Sequence, residues 1–279
     1  MIAFDFLYVR PNSLKDAFET FSTLKSEGKN SVYYSGGSEI ITLCRTGSIK
    51  PDAVIDIKNI ADCKGIYKDE ETLHIGAACT LYEISKSKFF PLLGLCCGRI
   101  ADHTNQCRIT LGGNLCGTII YRETSLALLT CDAKIRIYGE NGERTEPFSS
   151  VFNKRMQISP GEIITKISIP LWALNARHAH IKKTANEKID YPLLSLGALI
   201  KDDKLQIAFS GLFEYPFRCE KLEMLLNEKN KSPYDRAKAA CSLINENVIH
   251  NVDSSKKYRL FVFENTVQEL LEAIESGKI

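Results

Sequence analysis

The sequence has 279 residues, 44% hydrophobic and 25% charged, which is the composition of a globular protein that can bury a large core. Lys and Arg number 36 against 34 Asp and Glu, and the lysines are scattered, so a nucleic-acid partner is not expected. The N-terminus lacks the features of a signal peptide and no apolar run could span a bilayer, which predicts a cytoplasmic protein without membrane association.

The ten cysteines are expected to be free thiols, because none has C-x-x-C spacing. Cys96, Cys97, Cys107 and Cys116 are close in sequence and could hold an iron–sulfur cluster. Adjacent cysteines followed by wide gaps are unlike the usual ligand spacing, however. Core packing is therefore favoured, and no metal site is predicted.

Residues 1–57 have the pattern of a small α/β unit. Ser13 is placed to cap a helix that Gly28 ends. Strands are predicted at 32–35 and 51–57, and they should pair in parallel because a helix intervenes between them.

Between these two strands lies the first glycine loop, residues 35–38, within Tyr34-Ser35-Gly36-Gly37-Ser38-Glu39-Ile40. Ser38 is placed to cap the short helix that follows. A strand, a Gly-Gly turn and a helix N-terminus in succession favour the binding of an anion.

Residues 58–170 contain further strands and helices. In the strand at 73–77, His74 alternates with apolar residues and is expected to face solvent. Thr80 and Glu83 have the spacing of a capping box. The other elements predicted here are helices at 91–99 and 125–129 and strands at 134–138 and 163–169, with Pro170 ending the last strand.

The second glycine loop, residues 110–117, is Thr110-Leu111-Gly112-Gly113-Asn114-Leu115-Cys116-Gly117. Paired glycines let bare backbone N–H groups approach phosphate oxygens, although a Gly-Gly pair is more often an ordinary turn. Neither loop has the spacing G-x-G-x-x-G or G-x-x-x-x-G-K-[ST], so a Rossmann fold and a P-loop fit poorly.

Residues 171–279 differ in character. Strands are predicted at 179–183, 193–200 and 205–213, and the last two form a hairpin through Asp202-Asp203. Amphipathic helices follow near 219–227, 233–245 and 256–274. Antiparallel strands followed by helices indicate a separate α+β domain.

In this order the motifs resemble the FAD-binding subunit, or middle FAD domain, of the molybdenum hydroxylases, such as xanthine dehydrogenase and aerobic carbon monoxide dehydrogenase. The matching motifs are Pro-x-Ser-Leu at 11–14, (A/S)-G-G-(T/S)-(D/E) at 35–39, Pro-x-x-(L/V)-I-Asp-I at 51–57, I-Gly-A at 75–77, T-(I/L)-G-G-N at 110–114, the segment at 123–129, the strand at 161–170 and Tyr258-Arg259. Glu123 stands where the family usually has Asp.

The resemblance implies an α+β protein with the FAD-binding fold of the vanillyl-alcohol-oxidase (PCMH) type. It divides the chain into an N-terminal FAD-binding subdomain at 1–57, a middle FAD-binding subdomain at 58–170, both α/β, and a C-terminal domain of antiparallel strands and helices at 171–279. FAD is expected between the first two subdomains, with both glycine loops at its diphosphate.

The resemblance also implies a set of cofactor-binding residues: Tyr34, Ser35, Gly36, Gly37, Ser38, Glu39, Ile40, Ala101, Thr110, Gly112, Gly113, Asn114, Cys116, Gly117, Glu123, Ile163, Ile164, Lys182 and Tyr191. Glu39 and Glu123 should accept hydrogen bonds from ribose or ribityl hydroxyls or from N–H groups, because a carboxylate repels a diphosphate. Lys182 is expected near the flavin ring and Tyr191 across its face. The alternative interpretations are an exposed lysine on a strand for Lys182 and a tyrosine in the hydrophobic core for Tyr191.

The expected function is electron transfer between iron–sulfur clusters of a partner chain and NAD+ or another acceptor, with no catalytic side chain required. The implied partners are a [2Fe–2S] subunit and a molybdopterin-binding subunit. The alternative is a stand-alone FAD-dependent reductase of a small molecule, similar to the enolpyruvyl reductases. FAD is expected to be non-covalent, because neither loop has an evident attachment motif and His103, the nearby histidine, is expected to be a loop residue.

Overall fold

The structure is a computed structural model that describes residues 2–187, 189–245, 248–249 and 254–279. It has the α+β class expected from the sequence. Contacts divide the chain into two compact units, each formed from three segments. Unit 1 comprises Met1–Ser87, His103–Gly117 and Ala133–Pro170, and unit 2 comprises Lys88–Asp102, Thr118–Asp132 and Leu171–Ile279.

The α-helices and strands are numbered in chain order. The helices are α1 Leu14–Ser26, α2 Ser38–Thr46, α3 Leu81–Ser87, α4 Pro91–Cys97, α5 His103–Gln106, α6 Leu111–Cys116, α7 Thr124–Thr130, α8 Phe148–Val151, α9 Glu220–Leu226, α10 Pro233–Ile244 and α11 Lys256–Glu275. The strands are β1 Leu7–Val9, β2 Ser31–Tyr34, β3 Ala53–Asp56, β4 Ile66–Lys68, β5 Thr72–Gly76, β6 Lys134–Gly139, β7 Gly142–Pro147, β8 Phe152–Asn153, β9 Arg155–Met156, β10 Ile163–Pro170, β11 His178–Thr184, β12 Pro192–Lys201, β13 Lys204–Ser210 and β14 Phe217–Arg218.

Unit 1 begins with a three-stranded sheet in the order β1-β3-β2. The pair β2-β3 is parallel as predicted, and β1, which was not predicted, is also parallel to β3. Helix α1 is capped by Ser13, whose Oγ accepts a hydrogen bond from the Asp16 N–H at 3.1 Å, also as predicted. Leu14 and Ala17 on α1 pack with Ile55 of β3 in the core, so the amphipathic stripe of α1 covers one face of this sheet.

A second sheet of unit 1 is antiparallel and has the order β4-β5-β10-β6-β7. The predicted capping box closes the start of α3: Thr80 Oγ1 accepts from the Glu83 N–H at 3.2 Å, and Glu83 Oε2 accepts from the Thr80 N–H at 2.7 Å. The prediction for His74 is wrong. Its side chain is only 12% exposed, because its ring packs against the Tyr67 ring with centroids 5.1 Å apart. Its two ring nitrogens contact Asp69 at 2.6 Å and Ser168 at 3.0 Å.

Unit 2 is built on the antiparallel sheet β11-β12-β13-β14, and β12 and β13 form the predicted hairpin. The hairpin turn uses left-handed backbone at Asp202 and Asp203, with φ of 49° and 59°. Helix α7, buried at every residue, packs on β12 and β13, and Gly197 permits this contact because a Cβ there would lie 3.1 Å from Leu126 Cβ. Helices α10 and α11 pack against each other.

The two units divide the chain differently from the three predicted domains. Helices α4 and α7 fall within the predicted middle subdomain, yet they belong to unit 2 because their apolar side chains pack on its sheet. Residues 1–57 and most of 58–170 share unit 1, each with a sheet of its own. The three-domain division therefore stays a prediction.

In the part of the chain that the structure describes, no helix combines the length and the apolar character that a membrane crossing requires.

Candidate functional site

The first glycine loop connects β2 to α2 in unit 1. Gly37 occupies the N-cap position of α2 with left-handed backbone, φ 73°, so the expectation that Ser38 caps the helix is wrong by one residue. Ser38 is instead the first residue of α2, where backbone N–H groups have no partner within the helix. The hydroxyl oxygens of Ser35 and Ser38 are buried and make no hydrogen bond among the described residues. Two unused hydroxyls therefore accompany the positive end of α2.

Gly36 brings this loop against the backbone that precedes the second glycine loop. A Cβ built on Gly36 would lie 2.0 Å from the carbonyl oxygen of Arg108 and 3.2 Å from the Thr110 nitrogen. Only a glycine fits this contact without a shift of the backbone. Gly36 and Thr110 are 74 residues apart in the sequence (110 − 36). The two glycine loops are nevertheless neighbours within unit 1.

The second glycine loop differs from the expected open turn because most of it forms helix α6, with Thr110 as its N-cap. Its first N–H groups are already engaged: Leu111 donates to the Cys79 carbonyl at 2.9 Å, Gly112 to the Ala77 carbonyl at 2.8 Å, and Gly113 to Thr110 Oγ1 at 3.2 Å. Gly112 is required for packing, because a Cβ there would lie 2.9 Å from Ala77 Cβ. These donors stabilise unit 1 and are not bare.

A cleft of about 570 Å³ runs between the two loops, within unit 1. Its walls include Ser35, Gly36 and Thr110 from the loops. They also include three cationic side chains that belong to none of the predicted site residues: Lys58, Lys64 and Arg108. A cleft with this charge suits an anionic ligand.

The other predicted residues of unit 1 lie around these loops. Glu39, in the first turn of α2, approaches the second loop, since a Cβ built on Gly117 would lie 3.0 Å from Glu39 Oε2. Ile163 and Ile164 are buried at the start of β10. The remaining members are Tyr34, Ile40 and Asn114, which are half-buried, and Cys116, which is exposed.

The predicted residues of unit 2 include a buried ion pair. Lys182 on β11 donates to Glu123 Oε2 at 2.8 Å and to the Arg99 carbonyl at 2.8 Å. The side chains of Lys182 and Glu123 are 2% and 5% exposed. The alternative interpretation of Lys182, an exposed lysine on a strand, is therefore wrong. Burial raises the pKa of Glu123, while the Lys182 charge opposes this shift. The pair therefore keeps a charged carboxylate inside unit 2 only while Lys182 is present.

His180, two residues before Lys182 on the same strand, is a neutral neighbour of this pair. Burial lowers its pKa to about 4, and the charges of Arg99 and Lys182 act in the same direction. Its Nε2 contacts Ser195 Oγ at 3.3 Å. His180 therefore adds no charge to the site near neutral pH.

Tyr191 is 57% exposed, so it is not the core tyrosine that was the alternative. Its ring stacks on the buried ring of Tyr121, with centroids 4.9 Å apart and an angle of 17° between the planes. An exposed aromatic ring held in this way can stack on a second flat ring. Ala101, also in unit 2, has left-handed backbone with φ 52°.

The cysteines give no metal site within the described residues. Cys96 and Cys97 are buried in α4, whereas Cys107 and Cys116 are exposed. No group of three or more His, Cys, Asp or Glu side chains is arranged to hold a metal ion in the described part of the chain. His103 lies in α5 rather than in a loop, where its ring meets Tyr82 edge-on at 4.9 Å.

The residues of unit 1 fit the diphosphate part of FAD. The start of α2 carries partial positive charge, Ser35 and Ser38 offer unused buried hydroxyls, and Gly36 and Gly37 contribute no side chain of their own to the turn. The Glu39 carboxylate suits hydroxyl groups of a ligand rather than its phosphates.

The sequence does contain an indication that Lys58 lies at the site, although none of the glycine-loop motifs includes this residue. β2 and β3 are parallel neighbours with Tyr34 opposite Asp56, so their carboxyl ends lie at the same edge of the sheet. Residues that follow these ends tend to meet a common ligand. Lys58 follows β3 as the first glycine loop follows β2.

Comparison with known proteins adds a family match. Residues 3–172 match the family model described as the FAD binding domain in molybdopterin dehydrogenase. The chain is 24% identical over 279 residues to the 6-hydroxypseudooxynicotine dehydrogenase complex subunit alpha of Paenarthrobacter nicotinovorans, covering 95% of this chain and 93% of the relative. It is 22% identical to the nicotinate dehydrogenase FAD-subunit of Eubacterium barkeri, covering 98% of each.

Solved structures share the fold of the whole chain. A chain of quinoline 2-oxidoreductase from Pseudomonas putida 86 matches with a TM-score of 0.86 at 19% identity, covering 99% of each chain. A chain of carbon monoxide dehydrogenase from Hydrogenophaga pseudoflava also has a TM-score of 0.86, at 20% identity, covering 96% of each.

Gly36→Ala is expected to lower FAD occupancy, because the new Cβ displaces the Arg108 backbone and separates the two loops. Gly113→Val is expected to fold and lose FAD as well, because its Cβ would lie 2.8 Å from Thr110 Oγ1 and would displace this residue, which lines the cleft. Gly47→Ala is the control: it strains the other end of α2 by about 1–2 kcal/mol but meets no atom within 4 Å. Flavin absorbance per protein after purification measures the occupancy, and equal values in all variants contradict the assignment.

Lys182→Met is expected to lower the free energy of unfolding by about 3–5 kcal/mol near neutral pH, because it leaves the Glu123 carboxylate buried without its partner. Glu123→Gln in the same chain should restore much of this loss, which urea denaturation of the two single variants and the double variant measures.

The pH dependence of Lys182→Met has a defined sign. Lys182 lowers the pKa of Glu123 against the effect of burial, so in Lys182→Met this pKa is raised further than in wild type. A carboxyl whose pKa is raised on folding stabilises the fold while protonated, and this stabilisation is lost as pH rises from the ordinary value of 4.5 through the raised pKa. The deficit of Lys182→Met relative to wild type should therefore be smaller at about pH 5 than at about pH 7.5. A deficit that does not change with pH contradicts an unpaired carboxylate as its cause.

Proposed function

The chain belongs to the family of FAD-binding domains of molybdopterin dehydrogenases, and from this premise we propose that it is the FAD-carrying electron-transfer subunit of a multi-chain molybdenum hydroxylase. FAD is its cofactor, and its relatives are oxidoreductase subunits. One observation carries the proposal: the relatives named as a dehydrogenase complex subunit and as an FAD-subunit are matched over at least 93% of both chains.

The residues of the chain act on FAD by binding and orienting it. Bound FAD would supply the redox chemistry, since a flavin can exchange electrons singly or as a hydride. The start of α2 and the hydroxyls of Ser35 and Ser38 hold the diphosphate, while Glu39 accepts hydrogen bonds from ligand hydroxyls. FAD is bound without a covalent link.

The proposed partners are a [2Fe–2S] subunit and a molybdopterin-binding subunit. Electrons pass from the iron–sulfur partner to this chain and leave it for NAD+ or another acceptor. The names of the relatives support an assembly of this kind, because one is a subunit of a dehydrogenase complex and another is an FAD-subunit. The cytoplasmic location remains a prediction from the sequence.

Affinity purification of the tagged chain from its native host tests this function. Two further chains, with iron and molybdenum, are expected to co-purify, and acid precipitation should release all the flavin into the supernatant. Yellow colour that stays in the acid pellet contradicts non-covalent binding. Full turnover of a small-molecule substrate by the purified chain alone contradicts the subunit role and favours the stand-alone reductase.

Tyr191→Ala is expected to keep FAD but to change the rate at which NADH reduces the flavin of the isolated chain. The physical reason is that an exposed ring stacked on Tyr121 occupies or borders the place where another flat ring can stack. Stopped-flow absorbance at the flavin band measures the rate. Tyr234→Ala removes a similarly exposed tyrosine from α10 and should leave the rate unchanged. Equal rates in wild type and Tyr191→Ala remove Tyr191 from the site.

A further inference from the structure

The first glycine loop needs more positive charge than its own helix supplies if it is to hold a diphosphate. A helix N-terminus carries roughly half a unit charge, whereas a diphosphate carries about two negative charges. The N–H groups of Leu111, Gly112 and Gly113 in the second loop are engaged inside unit 1 and add little. Glu39 in the first turn of α2 adds negative charge. The balance has to come from side chains at the cleft.

Lys58 is the cation of the cleft that the fold positions most firmly. Its Nζ lies 2.6 Å from Asp56 Oδ2, and its own N–H donates to Asp56 Oδ1 at 2.9 Å. Asp56 is only 2% exposed and also accepts a hydrogen bond from the hydroxyl of Tyr8. The carboxylate is therefore a fixed anchor for the Lys58 ammonium.

Tyr34 places this ammonium beside the first glycine loop. Lys58 Nζ lies 4.2 Å from the centroid of the Tyr34 ring. The same ring lies against Gly37, since a Cβ built on Gly37 would be 2.2 Å from Tyr34 Cε2. Lys58 and Gly36 both line the cleft. Tyr34 thus joins the ammonium to the turn at the start of α2.

Lys58 can still bind a ligand while it contacts Asp56. An ammonium has three N–H donors, and the Lys58 side chain is 42% exposed. Glu83 is the acidic side chain that lines the same cleft. Its carboxylate already accepts hydrogen bonds from the N–H and the hydroxyl of Thr80, at 2.7 and 2.8 Å. Lys58 therefore faces the cleft with donors to spare.

We propose that Lys58 is a specificity-determining residue of the cofactor site: it binds the diphosphate of FAD at the first glycine loop, with Asp56 and Tyr34 as its positioning residues. This inference rests on the proposed function, because it takes FAD as the ligand. It assigns the recognition of the phosphate groups to a side chain outside both glycine loops. The flavin ring itself gains nothing from Lys58.

The test compares the binding of FAD and riboflavin to the full chain freed of flavin, by quenching of flavin fluorescence. Lys58→Met should weaken FAD about tenfold or more, the usual range for a hydrogen bond to a charged group. It should leave riboflavin unchanged, because riboflavin has no phosphate. Lys58→Arg keeps the positive charge and should retain more FAD affinity than Lys58→Met.

Two controls separate this role from a loss of structure. Lys15→Met removes a lysine from α1 whose side chain is 75% exposed, and it should change neither affinity. Asp56→Asn combined with Lys58→Met leaves no unpaired buried carboxylate, so it should fold and show the same selective loss of FAD.

Each outcome has a distinct meaning. Equal FAD affinity in wild type and Lys58→Met overturns the inference, and so does an equal loss for FAD and riboflavin, which would indicate a structural effect. A wild-type chain that binds riboflavin but does not prefer FAD overturns it too. If the wild-type chain binds no flavin at all, the proposed function itself fails.

Discussion

The contact between two backbones at Gly36 is the constraint on which the site in unit 1 depends. The space between this residue and the Arg108 carbonyl excludes even a methyl group, so the turn after β2 and the segment before α6 must lie directly against each other. Gly37 then supplies the left-handed backbone that starts α2 at the right place. Gly36 allows two backbones to approach closely, whereas Gly37 adopts a backbone conformation that other residues rarely adopt. Together they bring the start of a helix to the wall of a cationic cleft.

The lysines of the two candidate sites lie in different environments. In unit 2, Lys182 donates to Glu123 Oε2 and both side chains are nearly fully buried, where either charge alone would be costly. In unit 1, Lys58 is held by a buried carboxylate yet keeps part of its surface in the cleft. The first arrangement shields both charges from solvent, whereas the second leaves a cation able to meet a ligand. A buried ion pair is therefore weak evidence for binding, whereas an anchored and partly exposed cation beside unused hydroxyls is stronger evidence.

The second glycine loop illustrates how one motif can serve packing and binding together. Gly112 lies against Ala77, and the N–H groups around it tie α6 to the segment that follows β5. The motif thus holds its own helix in place first, and its contribution to a cofactor comes from its position beside the other loop. A glycine pair read from sequence predicts close approach of a backbone, but the approaching partner can be the protein itself.

The sequence by itself determined most local structure. Ser13, the capping box at Thr80 and Glu83, and the Asp202-Asp203 turn set element ends through hydrogen bonds and dihedral preferences of near neighbours. Two glycine loops in a fixed order also indicated the cofactor family. Only the tertiary structure decided what depends on residues distant in sequence. In the structure Lys182 is buried against Glu123, and His74 contacts Asp69 and Ser168. The first N–H groups of the second glycine loop donate to backbone carbonyls of unit 1. Periodicity and spacing encode which face of an element is apolar, but the partner that meets each polar group is fixed only when separate segments pack together.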